Sequence, residues 1–290
     1  MLDKSQLLPA RSFTEKTVAR FYPEDDEDTG ISFRLSKLQA VKFSSACLTI
    51  WSGQSGHGKS LLLNQLSLDI MDAGQLCAIA SFEMSSHRTM QRMVRQATGQ
   101  YLPEVDDIVE CMKWLGQRLW IFDHLGTMSA DKLLDAFTKG IEEHGISHLI
   151  IDSLLKLGLG EDDYSGQKRM VDLLQNYAQK KGPHIHLVAH SRKLSGDDDR
   201  PGKMDVRGSA SLTDLADNVL SVWRNRTKEE SRDNPGKTSS CKYDAILNVA
   251  KHRDLGGEVE GTYGLYFHPA SMQFTEDSCS KPYSYWEARP

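Results

Sequence analysis

From Ala46 to about residue 190, short apolar runs alternate with longer segments whose apolar residues recur at helical spacing. The short runs have the length and apolar character of buried strands, and several of the longer segments end on glycine, as helices do. Strands that alternate with helices indicate a parallel sheet with helices on both faces. The predicted strands span 47–51, 76–82, 119–123, 147–152 and 184–190, and the predicted helices span 60–74, 85–99, 130–145 and about 166–181.

The pattern changes after about residue 218, where segments of helical periodicity stop. Three further apolar segments, NVLSVWRN, YDAILNVAKHR and YGLYFHP, predict strands with no helix between them. Successive strands without crossover helices favour antiparallel pairing. We therefore expect an α/β fold in which a mostly parallel sheet, flanked by helices, carries an antiparallel C-terminal extension.

The first 45 residues differ from the rest of the chain because they lack the apolar periodicity of a core. The pattern allows a short helix at 12–21, and the acidic run 24–28 follows it. We interpret this segment as an arm or linker, with a poorly ordered terminus as the alternative. The expected organisation is an N-terminal arm at 1–45, one large domain at 46–278 and a C-terminal tail at 279–290.

Composition narrows the class of protein. The chain has 290 residues, of which 39% are hydrophobic and 26% charged, and its formal net charge is -5, which is typical of a globular protein. Five cysteines without a CxxC pair argue against a structural zinc site or a disulfide framework and favour a reducing cytoplasm. No apolar run approaches the roughly 18 residues of a membrane helix, and the start lacks a secretory h-region. Mild acidity argues against general coating of nucleic acid but allows a local basic channel.

The strongest motif is GQSGHGKS at 53–60, which follows a predicted strand and precedes a predicted helix. The phosphate-binding pattern GxxxxGK(S/T) requires this context, and a chance glycine-rich turn is the alternative. Its glycines let backbone N–H groups curl around phosphates, and the next helix presents its positive N-terminal end. The lysine would reach the terminal phosphates of ATP or another nucleoside triphosphate, and the serine hydroxyl would bind Mg²⁺. The candidate residues are Gly53, Gln54, Ser55, Gly56, His57, Gly58, Lys59 and Ser60.

Three polar residues stand at the ends of predicted strands, where a parallel sheet presents side chains to one crevice. Asp152 ends HLIID and suits the contact to Mg²⁺ that the loop leaves open, although such an aspartate is ordinarily a helix cap. Glu83 follows LCAIASF and could polarise an attacking water, or cap the next helix. His190 ends HLVAH and could hydrogen-bond a terminal phosphate, or face solvent. We interpret His184 and His186, which alternate on that strand, as structural.

Basic residues occur in two further places that bear on phosphate chemistry. Lys251 and Arg253 lie two residues apart at the end of DAILNVAKHR and would point the same way on a strand. They are either a solvated strand end or, in a ring, cations that reach the next subunit's nucleotide as an arginine finger. The polar loop after His190 also carries the acidic run 197–199, which does not suit DNA. Its cations suit backbone phosphates and are Arg192, Lys193, Arg200, Lys203 and Arg207.

Seven segments occur in an order that resembles the hexameric replicative helicases, namely GQSGHGKS, SFEMS, LWIFDH, HLIIDSL, VAHSRK, VRGSASLTDLADNVLSVWRN and AKHR. The resemblance covers about residues 30–275 and is closer to the helicase half of phage primase-helicases and Twinkle than to bacterial DnaB. It implies a RecA-like P-loop ATPase core and a hexameric or heptameric ring that uses ATP to translocate 5′ to 3′ along single-stranded DNA. The expected location is the cytoplasm, or the host cytoplasm if the protein is phage-encoded.

The resemblance also implies roles for individual residues of the phosphate loop and the strand ends. Lys59 and Ser60 would hold phosphate and Mg²⁺, and Asp152 would be the acidic partner of the metal. Glu83 would be the catalytic base. His190 would sense the terminal phosphate and couple it to the DNA-binding loop.

The remaining implied roles concern the neighbouring subunit, the nucleotide base and other proteins. Arg253, together with Lys251, would act in trans on the ATP of the adjacent subunit. Arg224 and Tyr266 would lie near the nucleotide base. Because no zinc-binding or primase segment precedes the domain, we expect priming to come from a separate primase, with a DNA polymerase or a loader as further partners.

Two other functions share part of this pattern. A RecA-like recombination ATPase would have the same core and bind DNA but form filaments, and the ordered motifs from Glu83 to Arg253 disfavour it. An ATP-dependent ring scaffold that binds protein instead of DNA is favoured by the Asp-rich loop and the net acidity. ATPase assays with and without single-stranded DNA would separate the scaffold from the helicase. Electron microscopy of rings or filaments would identify the recombinase.

Overall fold

The computed structural model describes residues 8–22, 30–160, 162–190, 210–234, 236 and 238–285. Within them, nine strands form one sheet. The strands are β1 (Leu48–Ser52), β2 (Cys77–Ser81), β3 (Leu119–Ile121), β4 (His148–Asp152), β5 (His184–Val188), β6 (Asn218–Arg224), β7 (Ala245–His252), β8 (Gly261–His268) and β9 (Gln273–Thr275).

The order of the strands confirms the expected α/β fold. It is β3-β2-β4-β5-β1-β6-β7-β8-β9, with parallel pairing from β3 to β6 and antiparallel pairing from β6 to β9. Strand β1 lies in the middle, between β5 and β6. The loop that follows β1 therefore opens at the centre of the carboxyl edge of the parallel strands, where such sheets bind ligands.

Helices cover both faces of the sheet. They are α1 (Thr14–Phe21), α2 (Lys59–Asp72), α3 (Ser86–Thr98), α4 (Val105–Gly116), α5 (Ala130–His144), α6 (Tyr164–Lys181), α7 (Ala210–Leu215) and α8 (Arg226–Asp233). Helices α2, α3 and α4 contribute Leu62, Met93 and Cys111 to the core on one face. Helices α5 and α6 contribute Phe137 and Leu174 to the core on the other. Among the described helices, none has both the length and the apolar character needed to cross a membrane.

Helix α8 shows that the expectation of no helix after residue 218 is wrong. Its sequence, RTKEESRD, contains no apolar residue, so no hydrophobic periodicity marks it. The side chain of Asn225 caps it, because its Oδ1 accepts a hydrogen bond from the backbone N–H of Lys228 at 2.9 Å. Helix α4 also lies where no element was predicted.

The segment before β1 belongs to the core and is not an arm. Phe33, Leu38 and Phe43 are buried and pack with the helices of one face of the sheet. These residues lie in a segment without a regular strand or long helix, so neither the helical nor the strand period reveals them. The interpretation of 1–45 as an arm without core residues is therefore wrong for residues 31–43.

The structure near the two ends of the chain can be compared with the predicted helix at 12–21 and the predicted tail at 279–290. The predicted helix at 12–21 is confirmed by a 3₁₀ turn that continues into α1, whereas the acidic run 24–28 lies outside the described residues. At the other end, Tyr285 is buried, and its hydroxyl donates to Oδ1 of Asp69 on α2 at 2.7 Å. The described part of the expected tail 279–290 is thus packed against the domain.

Three buried histidines lie side by side near the start of the parallel strands, and we call them the histidine cluster. His148 begins β4, and His184 and His186 lie on β5. Nδ1 of His148 is 3.2 Å from Nε2 of His186, the hydroxyl of Thr49 is 2.8 Å from Nε2 of His184, and the indole N–H of Trp51 donates to Nδ1 of His186 at 3.3 Å. Burial lowers the pKa of His148 and His186 well below the usual value. This packing, with bonds to neighbouring strands, supports the structural interpretation of His184 and His186.

Candidate functional site

The loop between β1 and α2 has the backbone conformation of an anion cradle. Gly53, Gly56 and Gly58 have φ values of 141°, 79° and 92°, which residues with a Cβ rarely adopt. At Gly53 the space is also closed, because a Cβ there would lie 2.4 Å from the carbonyl oxygen of Val222. Since α2 begins at Lys59, directly after the loop, its unpaired N–H groups and positive dipole end can meet an anion bound there.

Lys59 places its ammonium inside the loop. Its side chain is buried, and its Nζ donates to the carbonyl oxygens of Gly53 at 2.8 Å and Gln54 at 3.0 Å. Burial lowers the pKa of Lys59, and the negative charges of Asp152 and Glu83 oppose that shift. A bound polyphosphate would add further negative charge and so stabilise the ammonium form.

A hydroxyl and a carboxylate meet beside the loop. Ser60, in the first turn of α2, donates its hydroxyl proton to Oδ2 of Asp152 at 2.5 Å. Asp152 is the last residue of β4. Removal of its carboxylate from water raises its pKa, although the Ser60 hydrogen bond opposes the shift. Oxygen ligands suit Mg²⁺, and a cation would stabilise the ionised carboxylate, so these two residues fit a divalent metal.

Glu83 contacts two residues that lie just beyond neighbouring strand ends. Strands β2 and β4 pair in register up to Ser81 and Asp152, which brings the residues after them together. The hydroxyl of Ser153 donates to Oε1 of Glu83 at 3.0 Å, and Nε2 of His190 lies 3.5 Å from the same oxygen. The His190 contact is the largest cause that lowers the pKa of Glu83 to about 2, so this carboxylate is ionised.

These groups line one cavity of about 300 Å³ at the carboxyl edge of the sheet. It brings together all three strand-end residues that the sequence predicts, Glu83, Asp152 and His190, with the phosphate loop. We call these three residues the strand-end cluster. A cavity of this volume lies at the lower end of the range for ligand pockets. Its lining consists of Ser55, Gly56, Gly58, Lys59, Ser60, Leu61, Glu83, Arg92, Asp152, His190 and Arg224.

Of the two residues expected near the nucleotide base, one reaches this cavity. Arg224 ends β6 and donates to the carbonyl oxygen of Gly56 at 3.3 Å and to Oε1 of Glu229 at 2.7 Å. Tyr266 lies on β8 outside the lining that the described residues form, and its ring packs edge-to-face on Tyr243 with centroids 5.5 Å apart. Contact with a base stays a prediction for both residues.

Lys251 and Arg253 each have partners in their own chain. The Nζ of Lys251 donates to three main-chain carbonyl oxygens at the end of α7, at 2.6 to 3.1 Å. Arg253 follows β7, and its half-exposed guanidinium lies 2.7 Å from Oδ1 of Asp217. Neither residue is part of the cavity lining in the described part of this chain. Their action on a neighbouring subunit stays a prediction.

The residues expected to contact DNA lie outside the described part of the chain. The element before them, β5, leads into His190 at the cavity, and α7 begins after them at Ala210. The acidic run 197–199 is also outside the described residues. The predicted DNA contacts in question are Arg192, Lys193, Arg200, Lys203 and Arg207.

Three further residues at the site were not predicted. Arg92 on α3 lines the cavity, Ser153 holds Glu83, and Arg226 donates to the carbonyl oxygen of Ser55 at 3.3 Å. The sequence contains a signal that could have identified Ser153, since this residue directly follows a strand-end aspartate. Arg92 had none, because an amphipathic helix carries polar residues all along its outer face.

Comparison with known protein families gives a match over most of the chain. The model of the DnaB-like helicase C-terminal domain matches residues 30–276. The Twinkle homolog protein, chloroplastic/mitochondrial, of Arabidopsis thaliana is 25% identical over 222 residues. That alignment covers 73% of this chain and 28% of the relative. The chain therefore spans less than a third of the length of that relative.

Solved structures share the fold of this chain. One, described as an ATPase domain, superposes with a TM-score of 0.76 at 17% identity and covers 93% of this chain and 99% of the solved chain. Another, a DnaB-like replicative helicase described with its interactions with primase, has a TM-score of 0.76 at 17% identity. It covers 93% of this chain and 69% of the solved one. These likenesses support the RecA-like ATPase core.

Proposed function

Because this chain belongs to the family of DnaB-like helicase C-terminal domains, we propose that it is an ATP-hydrolysing DNA helicase that works as a ring on single-stranded DNA. The observation that carries the proposal is the single cavity shared by Lys59, Ser60, Glu83, Asp152 and His190. Together they offer a cation for phosphate, two oxygen ligands for a metal, a carboxylate for water and an imidazole for the terminal phosphate. Phosphoryl transfer to water requires such a set.

Nucleotide binding begins at the phosphate loop 53–60. Its backbone N–H groups and the start of α2 bind the phosphates, and Lys59 exchanges its bonds to loop carbonyls for the terminal phosphate of ATP or another nucleoside triphosphate. Arg224 borders the loop at Gly56 and, with Tyr266, contacts the base. The structural likeness of the core to an ATPase domain supports the binding of a nucleotide by this fold.

Hydrolysis uses the strand-end cluster. Ser60 and Asp152 would hold Mg²⁺, which would neutralise charge on the phosphates. Water attacks the terminal phosphorus, the bond to the bridging oxygen of ADP breaks, and Glu83 accepts the water proton. The contact with His190 lowers the pKa of Glu83 and so weakens this carboxylate as a base. By turning to the terminal phosphate, His190 removes the largest cause of that low pKa.

Assembly completes the site. In a hexamer or heptamer, Arg253 and Lys251 of one subunit reach the nucleotide of the next, where a guanidinium stabilises transition-state charge. The ion pair with Asp217 holds Arg253 half-exposed until then. His190 couples hydrolysis to the basic loop that follows it, which contacts the DNA backbone as the ring moves 5′ to 3′.

The proposal also covers the extent of the domain, its partner proteins and its location. Residues 46–278, extended by the packed segment 31–43, form the ATPase domain. A separate primase, a DNA polymerase or a loader would act with it at a replication fork. We place the protein in the cytoplasm, or in the host cytoplasm if it is phage-encoded.

One alternative has a specific observation in its favour. A ring scaffold that binds protein would account for the acidic run 197–199 and for the net charge of -5. Its ATP turnover would not respond to single-stranded DNA, whereas that of the helicase would rise. A RecA-like recombination ATPase would form filaments instead of closed rings in electron micrographs.

A tailed-duplex unwinding assay tests the proposed function. We expect the full chain, with ATP and Mg²⁺, to displace the strand of a forked substrate entered from a 5′ single-stranded tail. Lys59→Ala should be inactive, and Lys132→Ala, which changes an exposed lysine on α5, is the matched control. Strand displacement without ATP, or none by the wild-type chain alongside normal ATP turnover, would contradict the helicase.

A further inference from the structure

Ser153 lies beside the proposed base in a position that the backbone fixes on both sides. It is fully buried, and its carbonyl oxygen accepts a hydrogen bond from the N–H of Lys156 at 3.0 Å. Just before it, the carbonyl oxygen of Asp152 accepts from the N–H of Phe82 at 2.8 Å. The pairing of these two strand ends therefore places Ser153 beside Glu83.

The two contacts of Glu83 differ in how firmly they are held. His190 is partly exposed, with 22% of its side chain accessible, and lies 3.5 Å from Oε1. Ser153 is inaccessible to solvent and donates to the same oxygen at 3.0 Å. Neither contact engages Oε2. The imidazole lines the cavity and can move toward a ligand, whereas the hydroxyl is buried against Glu83.

We propose that Ser153 is a positioning residue that keeps the Glu83 carboxylate oriented toward the attacking water after His190 has turned to the terminal phosphate. This inference rests on the proposed function. Of the two residues that contact Oε1, Ser153 would be the one that still donates a hydrogen bond during the reaction. Oε2 would accept the proton of the water. Ser153 itself neither touches the nucleotide nor takes part in proton transfer.

The expected consequence is a loss in turnover without a loss in binding. Misplacing a base matters because proton transfer requires the acceptor within hydrogen-bond reach of the water. Removing one hydrogen bond to a charged group should lower kcat by about tenfold. The KM for ATP should stay within about twofold, since an interaction that acts only in the transition state does not change it.

The test compares Ser153→Ala with Ser147→Ala in the full chain, measured as ATP hydrolysis at saturating single-stranded DNA. The two serines bracket β4, and the hydroxyl of Ser147 donates to Gln75 at the opposite end of the strand. We expect the loss in kcat only in Ser153→Ala. Ser153→Cys, which keeps a weak donor of similar size, should recover part of it.

A pH profile separates positioning from a packing defect. The Ser153 hydrogen bond helps to lower the pKa of Glu83, so Ser153→Ala should move the acid limb of kcat, which reports the nucleotide-bound enzyme, to higher pH. An unchanged kcat, an unmoved acid limb or a raised KM would each overturn the positioning role while leaving the proposed function intact. If the wild-type chain hydrolyses no ATP, the proposed function fails and the positioning role fails with it.

Discussion

The strand-end cluster and the histidine cluster lie at opposite ends of the same parallel strands. On β4, His148 is the first residue and Asp152 the last. On β5, His184 is the first residue, and His190 lies two positions past the end. Both clusters thus consist of titratable side chains on adjacent strands, yet only the strand-end cluster shares a cavity with the phosphate loop. Of the histidine cluster, His148 borders another cavity, which lies at the opposite end of the strands.

The environment of the side chains, and not their residue type, distinguishes the histidine cluster from the strand-end cluster. His186 is fully buried between Trp51 and His148, and its pKa is well below the usual value, so it stays neutral. His190 is partly exposed and contacts the ionised carboxylate of Glu83. Open parallel sheets bind their ligands at the carboxyl edge, so the position of an imidazole along the strand indicates which of the two environments it occupies.

This difference predicts two kinds of variant. Changes at the proposed nucleotide site should abolish turnover and leave the free energy of unfolding nearly unchanged. Changes in the histidine cluster should lower the free energy of unfolding and leave turnover per folded molecule nearly unchanged. Any variant that does the reverse would break the comparison.

The largest effect is expected at Arg253. Arg253→Ala should bind ATP but hydrolyse it more slowly by roughly three to five decades, because the variant lacks the cation that stabilises transition-state charge on a neighbour's nucleotide. Phosphate release and nucleotide binding should be measured on the same preparation. Arg169→Ala, at an exposed position on α6, is the matched control.

Mixing two inactive variants tests whether Arg253 acts in trans. Some interfaces in a mixed ring of Arg253→Ala and Lys59→Ala subunits pair an intact Lys59 with an intact Arg253, so partial ATP turnover should return. No recovery, with mixed rings confirmed by mass spectrometry, would mean that Arg253 acts within its own chain or only through its ion pair with Asp217.

The next effect concerns Lys59. Lys59→Ala removes the ammonium that the loop carbonyls hold in place, and turnover should fall by about a thousandfold, as for other groups that stabilise transition-state charge. Thermal unfolding should be nearly unchanged, since removing a buried ammonium also removes its desolvation cost, which offsets the two lost hydrogen bonds. Turnover near the wild-type rate would show that the glycine loop is not the active site.

A smaller effect, on stability, is expected in the histidine cluster. His186→Leu removes the partners of Trp51 and His148 and should lower the free energy of unfolding by about 2 to 4 kcal/mol near neutral pH. Urea denaturation gives this value, and ATP turnover per folded molecule should match the wild type. Loss of turnover in the folded variant would tie the cluster to catalysis.

The same variant has a predicted pH dependence. The pKa of His186 is lower in the folded than in the unfolded chain, so its stabilising contribution is present above pH 6.5, the usual value for histidine, and is lost as pH falls below it. The gap in free energy of unfolding between wild type and His186→Leu should therefore narrow on acidification. Asp69, whose pKa is raised to about 7, contributes stability that is lost as pH rises. It does so in the wild type and in the variant alike, so its contribution cancels in the gap between them. A gap that widens would contradict a neutral buried imidazole.

The smallest effect is expected for Tyr285→Phe. The hydroxyl of Tyr285 donates to the buried carboxyl group of Asp69, and its removal should lower the free energy of unfolding by about 1 kcal/mol. Tyr22→Phe changes an exposed tyrosine and should have no effect. Equal stability of the two variants would mean that the C-terminal segment is not held to α2 by this bond.

The regular half of the fold and the grouping of the candidate site residues could be predicted from the sequence because their determinants are local. The phosphate loop is a contiguous motif, and Asp152 and His190 end or follow apolar strands, where topology alone sends them to one crevice. Glu83 follows the same rule. The structure places these residues and Lys59 around one cavity.

Other features depend on contacts between distant parts of the chain, and local pattern does not reveal them. Phe33 and Phe43 lie in an irregular segment, and only the three-dimensional packing shows that they are core residues. Helix α8 has no apolar face to mark it. The bond from Ser153 to Glu83 joins the ends of two strands, and its geometry depends on their register.

The most direct test of the central claim is Glu83→Gln, because the amide has nearly the same shape as the carboxylate but cannot accept the proton of the attacking water. ATP binding and DNA-stimulated phosphate release should be measured on one preparation. We predict affinity for ATP within about threefold of the wild type and turnover reduced by about a hundredfold or more. Turnover at the wild-type rate, or loss of binding and turnover together, would contradict the assignment of the strand-end cluster as the site of ATP hydrolysis.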